Sequence, residues 1–135
     1  MHNTIMRKST DAHIFNIPGI GDLKLTVFYQ RNNDSVDRPF YAADEIIAQI
    51  EPSVKTAMYC FIRSHACKAP IAAAEGISIT DKRQSLPEEV MNQYICYDQL
   101  DRYYMCPMIA SVFVYYIREE IMRSLLSVPS RLVRA

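Results

Sequence analysis

Apolar and polar residues alternate along this chain with two different periods. From Phe40 to Arg63 the apolar positions are spaced by three and four residues, which is the period of an α-helix. Pro52 interrupts the series, because proline disfavours the α conformation at the residue before it and fits the first turn of a following helix. The pattern predicts two short helices that meet at a sharp corner. Helix-turn-helix proteins use this geometry to read DNA, and many other folds use it only to close a core.

Before this corner the period changes to two, which is typical of strands with one buried face. Residues 1–11 are predicted to be a loose polar lead-in, and Ala12 to Ile17 a first strand that ends at a proline and two glycines. Residues 23–41 are predicted to form a hairpin that leads into the helix pair. Pro39 places the returning arm of that hairpin at an edge.

Beyond the corner the predicted elements are short. Pro70, with the two residues before it, is expected to end the second helix. Residues 76–80 and 93–97 alternate and are predicted to pair as a second hairpin. Asp98 is expected to be the N-cap of a helix that runs through Met105.

The longest predicted helix runs roughly from Met108 to Leu126. Pro107 precedes it, its apolar positions follow the helical spacing closely, and Pro129 is expected to end it. One further helical turn is predicted after Pro87, because proline suits the first turn of a helix and two glutamates follow it.

Length and composition indicate a single α+β domain. A chain of 135 residues that is 50% hydrophobic is large enough to bury a real core. We expect small β-hairpins packed with a short helix pair and a long C-terminal helix, with the core over residues 13–126. No apolar run is long enough to span a membrane, and none follows Arg7 and Lys8 as a signal peptide requires. The expected location is the cytoplasm, or the host cytoplasm for a viral protein.

The four cysteines form no Cys-x-x-Cys pair. His65 and Cys67, with Cys60 one helical turn or so earlier, leave a partial zinc site open as an interpretation. Structural zinc sites normally show paired close spacings, and free cysteine in an apolar pattern behaves as a small hydrophobe. We therefore expect reduced thiols, no metal and no cofactor.

The sequence shows no arrangement typical of catalysis. Its adjacent carboxylate pairs point in different directions on a helix, and its histidines lie in no nucleophile or metal motif. A glycine-rich phosphate loop and a Gly-x-Ser-x-Gly turn are both missing from the sequence. We expect a protein that is not an enzyme.

Three segments follow an order that is not generic. An apolar strand at 13–16 precedes a proline, two large residues and an Ala-x-Asp-x pattern at 39–47. Residues 94–104 and 113–121 read as a strand with a Leu-Tyr segment and as a closing helix. Together these segments resemble the Bro-N domain of baculovirus Bro proteins and phage antirepressors, over about residues 13–126. The resemblance implies a Bro-N-like fold and either DNA binding or antagonism of a repressor. The family's closing helix is usually rich in basic residues before an aromatic one, where this chain has Val114 and Tyr115.

Polar and basic residues of the helix pair and of the hairpin loops form the candidate DNA-binding surface. Base readout requires polar side chains that project from a helix, with lysines and arginines on nearby phosphates. The alternative is that these are ordinary solvated charges around a core. The candidates are Arg31, Arg38, Lys55, Thr56, Tyr59, Arg63, Lys68, Lys82 and Arg83.

Tyrosines are abundant, and tyrosine is favoured at protein interfaces because its ring is apolar and its hydroxyl polar. Tyr115 lies off the apolar stripe of the long helix, close to two other residues that would share an exposed face. The alternative is that most tyrosines pack in the core with the hydroxyl at the rim. The interface candidates are Tyr103, Tyr115, Arg118 and Met122.

Two functions remain open from the sequence. The first is a viral or prophage regulator that binds double-stranded DNA through the helix pair to control transcription, as a homodimer. The second is an antagonist that binds a repressor or a host defence protein and leaves DNA alone. Fifteen basic residues balance fifteen acidic ones, which favours the antagonist because nucleic-acid binders usually carry a basic excess. The family resemblance favours DNA binding.

Overall fold

The computed structural model describes residues 4–31, 38–50, 57–81 and 84–134. It has a mixed α+β architecture with two small antiparallel sheets, as the hydrophobic pattern predicts. In chain order the elements are β1 (Met6–Ile17), β2 (Gly21–Gln30), β3 (Tyr41–Ala42), α1 (Ala43–Ile50), α2 (Ala57–Arg63), α3 (His65–Glu75), α4 (Glu88–Met91), β4 (Ile95–Tyr97), β5 (Tyr103–Met105) and α5 (Pro107–Arg134). Among the residues described, none of the helices combines the length and the apolar character that a membrane span needs.

The first sheet is a hairpin of β1 and β2. The prediction of a loose lead-in over residues 1–11 is wrong, because β1 already begins at Met6. The strand is polar there since most of its side chains are exposed, so it lacks the alternation by which a half-buried strand is recognised. The ladder shifts register between Lys8 and Ala12, and within this irregular stretch the Ser9 hydroxyl donates a 2.8 Å hydrogen bond to the Val27 carbonyl.

The buried face of β2 is confirmed, with Leu23, Leu25 and Val27 in the core. The predicted hairpin of residues 23–41 is confirmed only in part, because the ladder partner of β2 is β1. The described part of the segment that returns after β2 makes one antiparallel bridge to it, between Phe28 and Phe40, and then continues as β3 into the other sheet. Side chains from α1 take the place of a strand along this edge of β2.

The second sheet has the strand order β3-β5-β4. The predicted pairing of residues 76–80 with 93–97 is wrong, because β4 pairs with β5 and residues 77–80 belong to no strand. The predicted helix from Asp98 to Met105 is also wrong. Asp98 instead caps the tight turn between β4 and β5, in which Asp101 adopts a left-handed φ of 58°. Aspartate tolerates both positions, so its identity alone does not distinguish a helix cap from a turn.

The first predicted helix is confirmed as α1, while the corner at Pro52 lies outside the described residues. The second predicted helix is divided into α2 and α3 at Ser64, whose side chain accepts a hydrogen bond from the Cys67 amide as an N-cap. Pro70 lies within α3 and does not end it. The carbonyl that Pro70 leaves without a donor belongs to Ala66, which is exposed to water.

The helix predicted to start after Pro107 is confirmed as α5, but its backbone remains helical through Pro129 to Arg134. Proline removes one hydrogen bond of the helix without removing its neighbours, so a helix can continue beyond it. The predicted apolar stripe is also confirmed where it is described, with Ile109, Phe113 and Ile117 fully buried. The short helix predicted after Pro87 is α4.

The core joins the first hairpin, the helices and the second sheet in one cluster of buried residues. The rings of Phe61 in α2 and Phe113 in α5 lie 4.9 Å apart between centroids, and both are fully buried. Burial of a large apolar side chain contributes roughly 1.5–3 kcal/mol to folding. The packing of α2 on α5 therefore fixes the position of Arg63 at the end of α2.

The turn between β4 and β5 depends on one buried carboxylate. Asp98 accepts hydrogen bonds from the Leu100 amide at 2.9 Å, the Arg102 amide at 3.0 Å and the Tyr104 hydroxyl at 2.8 Å. The Arg102 guanidinium also donates to it, at 2.9 Å. Burial alone would raise the pKa of Asp98, but these hydrogen bonds outweigh it and lower the pKa below its ordinary value. Burial, together with the hydrogen bond to Asp98, raises the pKa of Tyr104 to about 12.

We expect Asp98→Asn to lower the free energy of unfolding at neutral pH by about 1–3 kcal/mol, since it removes charge-assisted hydrogen bonds to a buried carboxylate. The folded-state pKa of Asp98 is depressed, so its ionisation stabilises the fold above the unfolded-state pKa. This contribution is lost as the pH falls through the folded-state pKa. The difference in the free energy of unfolding between wild type and variant should therefore become smaller at acid pH. Urea titrations at neutral and acid pH measure it.

Asp101→Asn, in the same turn, is the matched control for this substitution. Asp101 is exposed, and asparagine tolerates the left-handed conformation as well as aspartate does. Its effect should stay within about 0.5 kcal/mol. An equal loss for both variants, or a gap that does not depend on pH, would contradict the role assigned to Asp98.

Candidate functional site

A surface groove of about 380 Å³ lies between the helices and the second sheet. The end of α2, the first turn of α3, the segment before α4, α4 itself and both strands of the β4–β5 hairpin contribute to it. We refer to it as the groove. Its lining residues are Ile62, Arg63, Lys68, Ser85, Leu86, Glu88, Met91, Asn92, Ile95, Tyr97 and Tyr103.

The lining of the groove is mainly apolar. Leu86 and Ile95 are buried, and Tyr97 and Tyr103 face each other across the β4–β5 ladder with ring centroids 5.7 Å apart. Cross-strand aromatic pairs of this kind stabilise a two-stranded ladder by up to about 1 kcal/mol. The tight turn at Asp98 sets their register. The tyrosine pair therefore gives the groove a rigid aromatic wall with polar hydroxyl ends.

The charges of the groove are mainly basic. Arg63 is exposed at the last position of α2, and Lys68 is half-buried one turn into α3. The acidic residue of the lining is Glu88. Across the described parts of the chain, neither Arg63 nor Lys68 forms an ion pair, since the ion pairs there join Arg102 to Asp98 and Arg123 to Glu119. Both cations are thus without an acidic partner among the described residues.

The structure describes the side chains of four of the nine candidate DNA-binding residues, namely Arg31, Arg38, Arg63 and Lys68. Arg63 and Lys68 meet at the groove. Arg31 is exposed in the turn after β2, where its amide donates to the Ile5 carbonyl. Lys55, Thr56, Lys82 and Arg83 lie outside the described residues, and so does the side chain of Tyr59.

The side chain of Arg38 is engaged in contacts within the protein. Its Nη2 donates a 2.5 Å hydrogen bond to the Gln93 carbonyl, and its guanidinium carbon lies 5.9 Å from the centre of the Tyr94 ring. Its Nε is buried and has no hydrogen-bond partner among the described residues. Arg38 therefore ties the segment before β3 to the segment before β4.

Two of the interface candidates, Tyr115 and Arg118, are exposed one turn apart on α5. Tyr103 lines the groove, whereas Tyr115 is 40% exposed on α5. Arg118, one turn further along α5, is exposed and reaches the turn of the first hairpin, where a Cβ added to Gly19 would lie 2.7 Å from its Nη1. The side chain of Met122 lies outside the described residues. The structure thus brings together Arg63, Lys68 and Tyr103, which the sequence assigned to two different roles.

Sequence reasoning missed the apolar residues of the groove, chiefly Leu86, Met91 and Ile95. Leu86 stands between a serine and a proline with no apolar period around it, so the sequence holds no signal of its burial. Ile95 belongs to an alternating segment, which predicts a strand but not the surface that its side chain faces. The groove is a product of tertiary packing.

The cysteines and histidine considered for a metal site do not converge. Cys60 is exposed and Cys67 is fully buried, and the described residues contain no cluster of three or more potential metal ligands. Burial raises the pKa of Cys67 to about 12 and that of Cys96 to about 11. Both buried thiols are therefore protonated and unreactive at neutral pH.

Comparison with models of known protein families, with curated proteins and with solved structures returned no match. The resemblance to the Bro-N family is therefore carried by the residues of this chain alone.

Proposed function

We propose that the protein is a regulator of the Bro-N type that acts by binding a partner protein, such as a repressor or a host protein. The observation that carries this proposal is the convergence of Arg63, Lys68 and Tyr103 on one apolar groove. A volume of about 380 Å³ accepts one or two side chains of a partner. An aromatic wall next to an arginine is the composition typical of energetic centres in protein interfaces.

The groove specifies the chemistry of the segment that it receives. Its apolar lining selects an aliphatic or aromatic side chain, because burying such a group in a pocket is favourable. Arg63 and Lys68 then favour an acidic residue close to that side chain, since neither is neutralised by a described partner. The zero net charge of the whole chain suits a protein partner better than a polyanion.

DNA binding through α2 and α3 is the second candidate. The observation in its favour is the charge of these two helices, which carry Arg63, His65 and Lys68 near their junction and a single acid, Glu75, at the far end. Glu75 is itself engaged with the Tyr94 hydroxyl at 3.0 Å. A basic junction between two short helices is a place where phosphates bind in helix-turn-helix proteins.

Photo-crosslinking tests the groove directly. Benzoylphenylalanine at Ser85, an exposed residue of the lining, should give a discrete adduct with one protein in an extract of the native host. The same label at Ser78, which is exposed but outside the lining, should not. Charge reversal by Arg63→Glu and Lys68→Glu should reduce the Ser85 adduct about tenfold, because each removes an attraction and adds a repulsion. Mass spectrometry identifies the partner.

Two results would exclude binding at the groove. One is an equal adduct from Ser78 and Ser85, and the other is an adduct that survives charge reversal. Urea unfolding of the reversed variant should match that of the wild type, which separates loss of binding from loss of fold.

A salt series tests the second candidate. If α2 and α3 bind duplex DNA, the logarithm of the binding constant should fall linearly with that of the salt concentration, with a slope of about −0.9 per phosphate contacted. Arg63→Ala and Lys68→Ala should each flatten this slope by about 0.9, whereas Lys24→Ala on the exposed surface of β2 should leave it unchanged. Fluorescence anisotropy measures it. No binding at low salt would exclude DNA as the ligand.

A further inference from the structure

The two edges of β2 are occupied by different partners. On one side lies β1. On the other, the amides of Lys24 and Thr26 donate to the side chains of Gln49 and Glu45 in α1. In an antiparallel pair, residues that direct their amides away from the partner strand form the non-hydrogen-bonded pairs of the ladder.

This alternation fixes the direction of the β1 backbone. The residues of β1 opposite Lys24 and Thr26 are Ile14 and Ala12, and Asn16 follows in the same alternation. Their N–H and C=O groups therefore point away from β2, toward the outer edge of β1. Among the described residues, no backbone group pairs with that edge over residues 12–16. An unpaired edge of this kind binds another strand readily.

The free edge is short and has sharp limits. The irregular stretch between Lys8 and Ala12 interrupts it on one side. Pro18, which has no N–H, closes it on the other. Ile14 stands at the centre of this segment and is 63% exposed, although it is a large apolar residue. The free segment, residues 12–16, thus extends two residues to either side of its most exposed hydrophobic side chain, Ile14.

We propose that a second copy of this chain pairs with β1 in antiparallel orientation, about a two-fold axis at Ile14. Ile14 then lies opposite the partner's Ile14, and Ala12 lies opposite the partner's Asn16. Each such pair exchanges both of its N–H···O=C bonds, because these residues are the ones whose backbone groups face outward. The dimer is independent of the groove and of what the groove binds.

Charge and side-chain chemistry favour a second copy as the occupant. The charged residues of β1 are Arg7, Lys8 and Asp11, and all three precede the free segment, so no like charges oppose each other. The exposed isoleucine buries itself against its own copy. On the other face of the ladder, His13 lies opposite the partner's Phe15, which is a favourable aromatic pair.

The combined sheet also explains why the pairing stops at two copies. It has the order β2, β1, β1, β2, and its outer edges are the β2 edges already bonded to Glu45 and Gln49 in each copy. An isologous contact of this kind closes on itself and leaves no edge for further addition. A strand from another protein could not form a longer ladder with β1, because the irregular stretch before Ala12 and Pro18 would limit it in the same way.

Disulfide formation tests the register. In a Cys60→Ser background, which removes the exposed thiol, Ile14→Cys should form a linked dimer on mild oxidation. The paired Cα atoms would be about 5.5 Å apart, within the range that a disulfide spans. Asn16→Cys is the matched control on the same face of the same strand. In this register it lies four residues from the partner's Asn16, about 13 Å along the strand, and should not link.

Sedimentation over a concentration series tests the association itself. The wild type should shift from one chain to two as its concentration rises, and Ile14→Lys should weaken this association at least about tenfold by placing like charges opposite each other. Leu100→Lys, at an apolar residue that is 71% exposed outside β1, should leave it unchanged. A wild type that stays monomeric at millimolar concentration overturns the proposal. So does linking of Asn16→Cys as fast as Ile14→Cys, or equal weakening by the two lysine variants.

Discussion

The structure depends on how the backbone of β2 is satisfied along both of its edges. Its buried face, with Leu23, Leu25 and Val27, requires the strand to lie against the core, where an unpaired amide costs about 1–3 kcal/mol. One edge is paired with β1 and the other with the side chains of Glu45 and Gln49. This second arrangement fixes α1 at the side of the sheet, and α1 begins directly after the strand β3 that enters the other sheet.

The second sheet connects this part of the fold to the groove. β3 pairs with β5, and β5 pairs with β4 through a turn whose conformation is set by the carboxylate of Asp98. Because that turn is tight and its hydrogen bonds are charge-assisted, the register of Tyr97 against Tyr103 is fixed. The helices α2 and α3 approach from the other side, held by Phe61 against α5. The groove thus lies between the second sheet and the helices α2 and α3, and the contacts within each of these parts fix its conformation.

Sequence patterns predicted those elements whose burial is one-sided. β2, α1 and α5 each bury one face, so their apolar residues repeat with the period of the element. The first half of β1 could not be found in this way, because both of its faces are largely exposed. Nor could the division of the second helix at Ser64, since a capping serine within an apolar series reads equally well as a polar position on the exposed face.

The sequence predicted individual residues of the candidate site, but it did not predict that they lie together. Arg63, Lys68 and Tyr103 were each singled out from the sequence, yet Tyr103 was placed on a helix and assigned to a different surface. Their convergence depends on the pairing of β4 with β5, and hence on the turn at Asp98. The local sequence pattern cannot predict that these three residues lie together, because their proximity depends on contacts between segments more than thirty residues apart.

The two proposed surfaces have a joint consequence. The groove is built from α2, α3, α4 and the second sheet, and the free edge belongs to β1, so the two share no residue. A dimer formed through β1 therefore carries two complete grooves. A partner that is itself dimeric can occupy both, and its second binding step is then intramolecular, with an effective concentration that reaches the millimolar range if the geometry permits. Under the proposed function, a groove that accepts only one or two side chains would in this way support stable antagonism of a dimeric partner without a large interface on either copy.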